Sequence, residues 1–281
     1  MQLTARNLTL DLCQPQVMGI LNVTPDSFSD GGQHNDLDKA LKHAQAMITA
    51  GATLIDIGGE STRPGAKSVS EQEELDRVIP VVEHLAPLAT DLKIWLSVDT
   101  YKAQVITEAA KAGAHLINDV RALQGLGALE AAASTDLPIC LMHMQGNPKH
   151  MQQSPHYEDL LTEIDDFFQQ RIDSCIAAGI AKNKLLLDPG FGFGKTLAHN
   201  YRLLTHLEKF HHFNLPLLVG MSRKSMVGQM LLGVPPKQRV TGSVACAVIA
   251  AMSGAKIIRV HDVQETVEAM CIVRAALSEK E

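Results

Sequence analysis

The sequence predicts an α/β protein, a (β/α)₈ barrel preceded by a short N-terminal extension. The first observation is an alternation of eight short apolar runs, rich in β-branched residues, with amphipathic stretches from residue 17 to the end. The second is length, because 281 residues in one uninterrupted series suit a barrel, for which about 250 residues are typical. We therefore predict a single domain over residues 1–281, with a doubly wound open sheet as the weaker alternative.

Each predicted strand is short and apolar on both faces, as expected for a parallel strand between a barrel core and an outer layer of helices. The intervening segments follow the 3.6-residue period of a helix, as Leu160, Ile164 and Phe168 illustrate. Gly113 and Gly179 stand where helices should end. The strands are predicted, in order, at residues 17–23, 53–57, 93–98, 115–119, 138–142, 184–187, 216–220 and 256–260.

Composition limits the class of protein. The net charge is −6 and acidic and basic residues are mixed, so no nucleic-acid partner is predicted. The longest apolar run, residues 244–252, is too short to cross a bilayer, and the N-terminus lacks the pattern of an export signal. Five cysteines form no C-x-x-C pair and four lie in apolar patterns, which favours buried, reduced thiols. We expect a cytoplasmic protein without a membrane partner.

Every predicted strand is followed by residues that carry charge or form hydrogen bonds. A single polar residue at the end of a strand can have no role beyond capping the next helix, and for Asp99 capping and a functional role are equal alternatives. Because active sites of this architecture lie at the carboxyl ends of the strands, the eight sets together predict a binding site there. From the first strand to the last, the residues are Asn22; Glu60, Ser61, Thr62 and Arg63; Asp99; Asn118 and Asp119; His143; Asp188; Ser222, Arg223 and Lys224; and Arg259 and His261.

These side chains favour a ligand with a planar head and an anionic tail. Asp99, Asn118 and Asp188 present acceptors that match the row of donors on an amino-pyrimidinone edge. Lys224 suits a carbonyl oxygen or a ring nitrogen of the same head. A metal ion bound by Asn22 and phosphate oxygens would be Mg²⁺. The first, second and eighth strands adjoin in a closed barrel and supply a pocket for an anion such as diphosphate, comprising Asn22, Arg63, Arg259 and His261.

The glycine-rich stretch DPGFGFGKT, residues 188–196, has some features of a phosphate-binding loop. Pro189 stands where the phosphate-loop pattern requires a glycine, and Lys195 stands where the dinucleotide pattern requires its third glycine. We therefore predict a strand-to-helix turn with Asp188 at the end of the strand. The sequence also lacks a zinc motif, and GMS at residues 220–222 lacks the second glycine of a nucleophile elbow.

Long polar segments follow the first two strands, TPDSFSDGGQHND at residues 24–36 and ESTRPGAKSVS at residues 60–70. Their content of Gly, Pro and Ser is typical of mobile lids, and turns with helix caps are an equal alternative. If the segments are lids, we expect Arg63 and the aspartates of the first segment to act mainly after closure.

Seven segments, in order over almost the whole chain, form one recognisable set: GILNVTPDSFSDGG at 19–32, DIGGESTRPG at 56–65, SVDT at 97–100, INDV at 117–120, LDPGFGFGK at 187–195, GMSRKS at 220–225 and RVHDV at 259–263. Together these segments resemble the dihydropteroate synthases, pterin-binding TIM-barrel enzymes of folate biosynthesis and targets of sulfonamides. The resemblance implies a transferase that condenses 6-hydroxymethyl-7,8-dihydropterin diphosphate with p-aminobenzoate to give 7,8-dihydropteroate and pyrophosphate. It also implies Mg²⁺ as cofactor and a homodimer.

The resemblance implies a role for most candidate residues. Asp26 or Asp30 would steady the developing cation, whereas Lys195 is left without a role. The implied pterin pocket comprises Asp99, Asn118, Asp188 and Lys224, with Arg259 against the ring or reaching the phosphates. The implied diphosphate and Mg²⁺ site comprises Asn22, Thr62, Arg259 and His261. The implied p-aminobenzoate site comprises Arg63, Pro64, Phe193 and Ser222.

Two other functions are compatible with a pterin-binding barrel. A methyltransferase that uses methyltetrahydrofolate would share the acceptors of the head pocket but would not need a diphosphate site or the cluster at residues 222–224. A pterin-binding module without catalysis would not need the two polar segments or the cations after the last strand. Both features are present in this sequence, which favours the synthase.

Overall fold

The computed structural model describes residues 1–24, 33–61, 68–146, 151–152 and 154–279. Five residues with predicted roles lie outside these ranges: Asp26, Asp30, Thr62, Arg63 and Pro64. The strands of the described ranges are β1 (Gln2–Ala5), β2 (Leu8–Asp11), β3 (Gln16–Asn22), β4 (Leu54–Gly58), β5 (Trp95–Asp99), β6 (Leu116–Asp119), β7 (Ile139–Met142), β8 (Leu185–Asp188), β9 (Leu218–Val219) and β10 (Ile257–Val260).

Helices follow the barrel strands in the expected alternation, and the described ranges also contain short 3₁₀ segments at Lys182–Lys184, Leu207–Phe213 and Pro236–Gln238. The α-helices are α1 (Gln33–Thr49), α2 (Glu71–Leu92), α3 (Ala103–Ala112), α4 (Ala128–Thr135), α5 (Leu160–Ala177), α6 (Leu197–Leu204), α7 (Ser225–Met230), α8 (Val240–Met252) and α9 (Val263–Ser278). Gly113 ends α3 in the left-handed conformation, as predicted.

Strands β3 to β10 form one parallel sheet that closes on itself. Its order is β8-β7-β6-β5-β4-β3-β10-β9. The remaining gap is closed just before β9, where Leu187 and Leu217 form a parallel bridge and the Leu187 amide donates to the Pro216 carbonyl at 3.0 Å. The predicted (β/α)₈ barrel is therefore confirmed, and the open sheet is excluded. The eight predicted strands match β3 to β10 with every boundary within two residues.

The N-terminal extension is the antiparallel hairpin β1–β2, which packs against the amino-terminal end of the barrel. Arg6 in its turn donates from Nε to the carbonyl oxygen of Ala114, just before β6, at 3.0 Å. Leu3 and Leu10 of the hairpin are buried. The hairpin therefore covers the end of the barrel opposite the carboxyl ends of the strands.

The cysteines and the helices bear on the predicted environment of the protein. All five cysteines are free, and three are buried as expected. Cys271 lies in an apolar helical pattern but is exposed, because its position in α9 faces outward, so the prediction of burial is wrong there. Among the described residues, no helix combines the length and apolar character that a bilayer span requires.

Candidate active site

The strand register brings several polar strand ends to one level of the barrel. Gly58 of β4 pairs with Asn22 of β3 on one side and with Asp99 of β5 on the other. Asp99 in turn pairs with Asn118 of β6. Paired residues of a parallel sheet point to the same side, so these residues face a common space. A Cβ atom on Gly58 would lie 3.8 Å from both Asn22 Oδ1 and Asp99 Oδ2, which shows that these oxygens converge at the glycine.

Arg259 of β10 reaches past β3, the strand next to it, to two aspartates on β4 and β5. Its Nε atom donates to Asp56 Oδ2 at 2.6 Å, and its Nη2 atom donates to Asp99 Oδ2 at 2.9 Å. Asp56 is fully buried and also accepts from the Ser97 hydroxyl at 2.5 Å and from the Asn118 amide at 3.1 Å. Sequence reasoning missed Asp56, because it lies inside an apolar strand; a carboxylate amid LIDIG was the available signal.

Burial controls the charges of this cluster. It raises the pKa of Asp99 to about 7, although the Arg259 guanidinium opposes the rise, and the negative charge of Asp56 adds to it. Burial works against the charge of Arg259, but Asp56 and Asp99 outweigh it and raise the pKa of the guanidinium further. Arg259 is therefore a permanent cation, and Asp99 is poised to change its protonation near neutral pH.

Asp188 and Lys224 supply the other charged pair of the site. Asp188 is buried and accepts from the Gly190 amide at 2.8 Å. Burial raises the pKa of Asp188, and the Lys224 ammonium opposes that rise. Lys224 donates to the Phe191 carbonyl at 2.6 Å and lies 4.7 Å from the centre of the Phe193 ring. Burial lowers the pKa of Lys224 to about 8, so the side chain is still mostly a cation at neutral pH.

The glycine-rich stretch after β8 forms a tight turn and not a phosphate loop. Gly190, Gly192 and Gly194 have φ angles of 70°, 79° and 60°. A Cβ atom on Gly190 would lie 1.9 Å from the carbonyl oxygen of His143, so a side chain does not fit there. Helix α6 begins only after Thr196, which caps it. The predicted strand-to-helix turn is confirmed.

Ser222 and His261 lie together beyond the ends of β9 and β10. The His261 amide donates to Ser222 Oγ at 3.1 Å, and His261 Nδ1 lies 3.1 Å from the same oxygen. The next residue, Arg223, donates from Nε to Asp262 Oδ2 at 3.0 Å. Arg223 therefore links the turn before α7 to the start of α9, whereas Ser222 and His261 are placed side by side.

The described residues thus place most of the predicted site at one end of the barrel. The charge of Lys224 is affected by those of Asp188, Arg259 and Asp99, which links the two charged clusters. The predicted residues brought to this end are Asn22, Asp99, Asn118, Asp188, Phe193, Ser222, Lys224, Arg259 and His261. The predictions for Asp30, Thr62, Arg63 and Pro64 fall outside the described residues.

Comparison with known proteins agrees with this geometry. The family described as pterin binding enzyme matches residues 18–261. The dihydropteroate synthase of Escherichia coli is 66% identical to this chain, over 100% of this chain and 98% of the relative. The dihydropteroate synthase of Haemophilus influenzae is 53% identical, over 98% of each chain. A structure of the Yersinia pestis dihydropteroate synthase with a sulfonamide drug complex has 77% identity and a TM-score of 0.93, over 99% of this chain and 100% of that one. The Xanthomonas albilineans synthase with 4-aminobenzoic acid has 47% identity and a TM-score of 0.92, over 98% of each chain.

A closed parallel barrel with buried acceptors and cations at its carboxyl end, together with the family match, defines a pterin-binding barrel enzyme. Within that class, the chain belongs to the dihydropteroate synthase family. The predicted family, the predicted synthase function and the predicted enzyme class, a transferase, are confirmed.

Proposed function

We propose that the carboxyl end of the barrel binds 6-hydroxymethyl-7,8-dihydropterin diphosphate and p-aminobenzoate and joins them with release of pyrophosphate. The observation that supports this most strongly is the set of buried acceptors facing the ammonium of Lys224. Relatives described with 4-aminobenzoic acid and with a pterine-sulfa conjugate support small-molecule substrates of both kinds.

The pterin head is assigned to Asp99, Asn118, Asp188 and Lys224. The Asn118 amide group donates to Asp56, which leaves its Oδ1 atom as an acceptor for a ring N–H. The Asp188 carboxylate matches two adjacent donors, the ring N–H and the exocyclic amine. Lys224 supplies a donor for the pterin carbonyl or a ring nitrogen. Each of these groups is buried or partly buried, so a missing hydrogen bond would be costly and recognition would be selective.

The diphosphate is assigned to the end of β10, with Arg259 and His261 and, from the resemblance, Thr62. Arg259 is a permanent cation held by two carboxylates, so its position does not depend on the ligand. His261 is held by Ser222 at 3.1 Å. A cation fixed in advance stabilises a departing anion without reorganisation, which is the usual source of electrostatic catalysis.

The residues present also fit Mg²⁺. Asn22 Oδ1 and Asp99 Oδ2 converge above Gly58, and oxygen donors of this type are those that Mg²⁺ prefers. The described residues contain no group of three or more His, Cys, Asp or Glu side chains that could hold a metal by themselves. This fits an ion that uses one or two protein oxygens together with phosphate oxygens and water. When bound by Asn22, Mg²⁺ would neutralise charge on the diphosphate.

The reaction needs positioning and charge stabilisation, and no covalent intermediate with the protein. The amine nitrogen of p-aminobenzoate forms a bond to the methylene carbon, and the bond from that carbon to the diphosphate oxygen breaks. Pyrophosphate leaves with the electron pair, and the amine loses its proton to water. The acceptors around the pterin stabilise positive charge shared by its ring, while Arg259 stabilises the negative charge on pyrophosphate.

The second substrate and the remaining roles are assigned from the resemblance. Phe193 and Ser222 lie near the proposed pterin site, since the Phe193 ring contacts Lys224 and Ser222 lies two residues before it. Arg63 and Pro64 would complete the p-aminobenzoate site, and Asp26 or Asp30 would act on the developing cation. We also propose that the protein is a cytoplasmic homodimer; the five free cysteines agree with a reducing compartment.

The direct test supplies the pterin diphosphate, p-aminobenzoate and Mg²⁺ to the purified protein. We expect 7,8-dihydropteroate and pyrophosphate in equal amounts, and no product when p-aminobenzoate is omitted. Pyrophosphate release without dihydropteroate would show hydrolysis of the pterin diphosphate and would contradict the proposed transfer.

A further inference from the structure

Lys195 is a buried lysine for which the proposed reaction has no use. Only 3% of its surface is exposed, and its ammonium lies inside the turn that follows β8. Nζ lies 2.9 Å from His143 Nδ1, 3.0 Å from the Gly190 carbonyl oxygen and 3.2 Å from the Phe193 carbonyl oxygen. An ammonium has three hydrogens, and these are three acceptors. The buried charge is thus matched in full by its hydrogen bonds.

His143 is suited to be the third acceptor. Burial and the Lys195 charge lower the pKa of its imidazole to about 2, so the ring is neutral and Nδ1 can accept. The ring is also fixed by an edge-on contact with Phe167, with centroids 4.9 Å apart. The His143 amide donates to the Asp188 carbonyl at 2.9 Å. Lys195 therefore ties the turn to the end of β7, immediately beside Asp188.

The two carbonyl groups held by Lys195 belong to residues that contact the proposed pterin site. The amide of Gly190 donates to the Asp188 carboxylate, and the ring of Phe193 lies against Lys224. The Phe191 carbonyl oxygen, also in the turn, accepts a hydrogen bond from the Lys224 ammonium at 2.6 Å. A shift of the turn would therefore move the partners of Asp188 and Lys224 together.

The charge environment of Lys195 has contributions from several elements. Burial disfavours the ammonium and lowers its pKa, as does the positive charge of Lys224, whereas Asp188 at the end of β8 favours it. The direct partners on the turn and on the segment after β7 are carbonyl groups and a neutral imidazole. A side chain held at such a cost by three specific acceptors is better explained by the geometry it imposes than by packing alone.

We propose that Lys195 is a positioning residue whose ammonium, hydrogen-bonded to His143, Gly190 and Phe193, fixes the turn after β8 so that Asp188 and Lys224 face the pterin at the correct separation. Lys195 itself does not touch the substrate. This inference rests on the proposed function, because the site that the turn serves is the proposed pterin site.

The test measures binding of the pterin diphosphate with Mg²⁺ by calorimetry, in the absence of p-aminobenzoate so that no turnover occurs. Lys195→Met keeps an unbranched side chain, shorter by one atom, and removes all three hydrogen bonds. Lys184→Met is the matched control, because Lys184 bonds to Asp136 at the opposite end of β8. We expect the dissociation constant to rise about 10- to 100-fold in Lys195→Met and to stay unchanged in Lys184→Met.

A second pair of variants covers the case in which Lys195→Met does not fold. His143→Gln keeps an acceptor for the ammonium, whereas His143→Leu removes it. We expect His143→Leu to weaken pterin binding more than His143→Gln does. A purely structural role would reduce the folded fraction but leave the dissociation constant of the folded protein at its original value. Equal affinity in Lys195→Met, or equal affinity in both His143 variants, would therefore overturn the inference.

The outcomes also separate this inference from the proposed function. If the unaltered protein binds the pterin and Lys195→Met binds it equally well, the positioning role is wrong and the proposed function stands. If the unaltered protein does not bind the pterin, the proposed function fails and the inference fails with it.

Discussion

At the scale of single residues, the site depends on a partly buried cation that is paired with two carboxylates. A charge removed from water is stable only when partners compensate it, and Arg259 has Asp56 and Asp99. The exposed fraction of Asp56 is zero, so its charge in turn requires Arg259. Because each partner is held by the other, the cation is fixed before any ligand arrives, and this is the condition for electrostatic catalysis.

The first prediction concerns Asp56. Asp56→Asn replaces a carboxylate that accepts three hydrogen bonds by an amide that brings its own donors. We expect the free energy of unfolding to fall by about 3 kcal/mol, because Arg259 loses a buried partner, and pterin affinity to fall about tenfold or more. Glu108→Gln is the control, since it removes the exposed ion pair with Lys111. Urea unfolding measures the stability of each variant, and calorimetry measures its pterin affinity. Equal stability and equal affinity in the two variants would show that Asp56 does not hold Arg259.

The second prediction concerns Asp188. Asp188→Asn keeps an oxygen for the Gly190 amide, so the turn should persist, but it loses the charge that faces Lys224. Unpairing a buried donor costs about 1–3 kcal/mol, so pterin affinity should fall roughly 10-fold to a few hundred-fold with little change in thermal stability. Calorimetry on the folded variant is the measurement. Pterin affinity equal to that of the unaltered protein would show that Asp188 does not contact the ring.

The third prediction uses the two buried lysines. Burial lowers the pKa of Lys195 to about 7 and that of Lys224 to about 8, below the value of about 10.4 that applies to the unfolded chain. Between pH 7 and 9 the two lysines therefore bind more protons in the unfolded state, and their contribution to stability should rise with pH, by up to about 1.4 kcal/mol per pH unit for each lysine. Burial raises the pKa of Asp99 and of Asp119 to about 7, and these two carboxyl groups oppose the rise at the lower end of the range. Burial raises the pKa of the Cys140 thiol, which acts in the opposite direction at the upper end of this range.

The check on this third prediction is the free energy of unfolding in urea at pH 7, 8 and 9. Lys195→Met should show a smaller rise than the unaltered protein, because one of the two contributing groups is absent. An identical rise in the two proteins would mean that Lys195 does not change its protonation in this range.

At the scale of elements, the sequence predicted the strands that are buried on both faces, but it did not predict the very short strands or the contacts between segments distant in sequence. The eight barrel strands were predictable because each is buried on both faces and ends in polar residues. The hairpin β1–β2 was anticipated only as an extension, because four-residue strands show no reliable period. The contacts of Lys195 could not be predicted, since they depend on His143, which is 52 positions away.

The fourth prediction concerns the turn after β8. Gly190→Ala places a methyl group 1.9 Å from the His143 carbonyl oxygen, in addition to the strain of a φ of 70°. Gly179→Ala is the matched control, because its φ is 93° but a Cβ would meet nothing within 4 Å. The control should lose only about 1–2 kcal/mol of stability. Gly190→Ala should lose more and should also weaken pterin binding; losses equal to those of the control would show that the turn adjusts freely.

At the scale of the whole molecule, the charged residues at the carboxyl end of the barrel and the exposed apolar residues of the outer helices have different roles. The chain carries a net charge of −6, yet Lys224 and Arg259 gather at the carboxyl end of the barrel with buried aspartates. Attraction of an anionic substrate must therefore be local to that end. On the outside, α8 packs against both α7 and α9. Large apolar side chains are exposed on these three helices and just after α7, at Met230, Leu231, Leu232, Ile249, Met252 and Ile272.

The last prediction is that this apolar surface of α7, α8 and α9 is the contact between two copies of the chain. Apolar side chains gathered on one face of a soluble protein usually mark an interface, and a twofold dimer uses the same surface on both copies. Leu232 is 98% exposed and has a φ of 55°, so Leu232→Asp should not disturb the fold of one copy. Leu126→Asp is the control, because Leu126 is equally exposed but lies before α4. Sedimentation equilibrium should show a dimer for the unaltered protein and the control and a monomer for Leu232→Asp at the same concentration. A dimer in all three would place the interface elsewhere, and a monomer in all three would refute the homodimer itself.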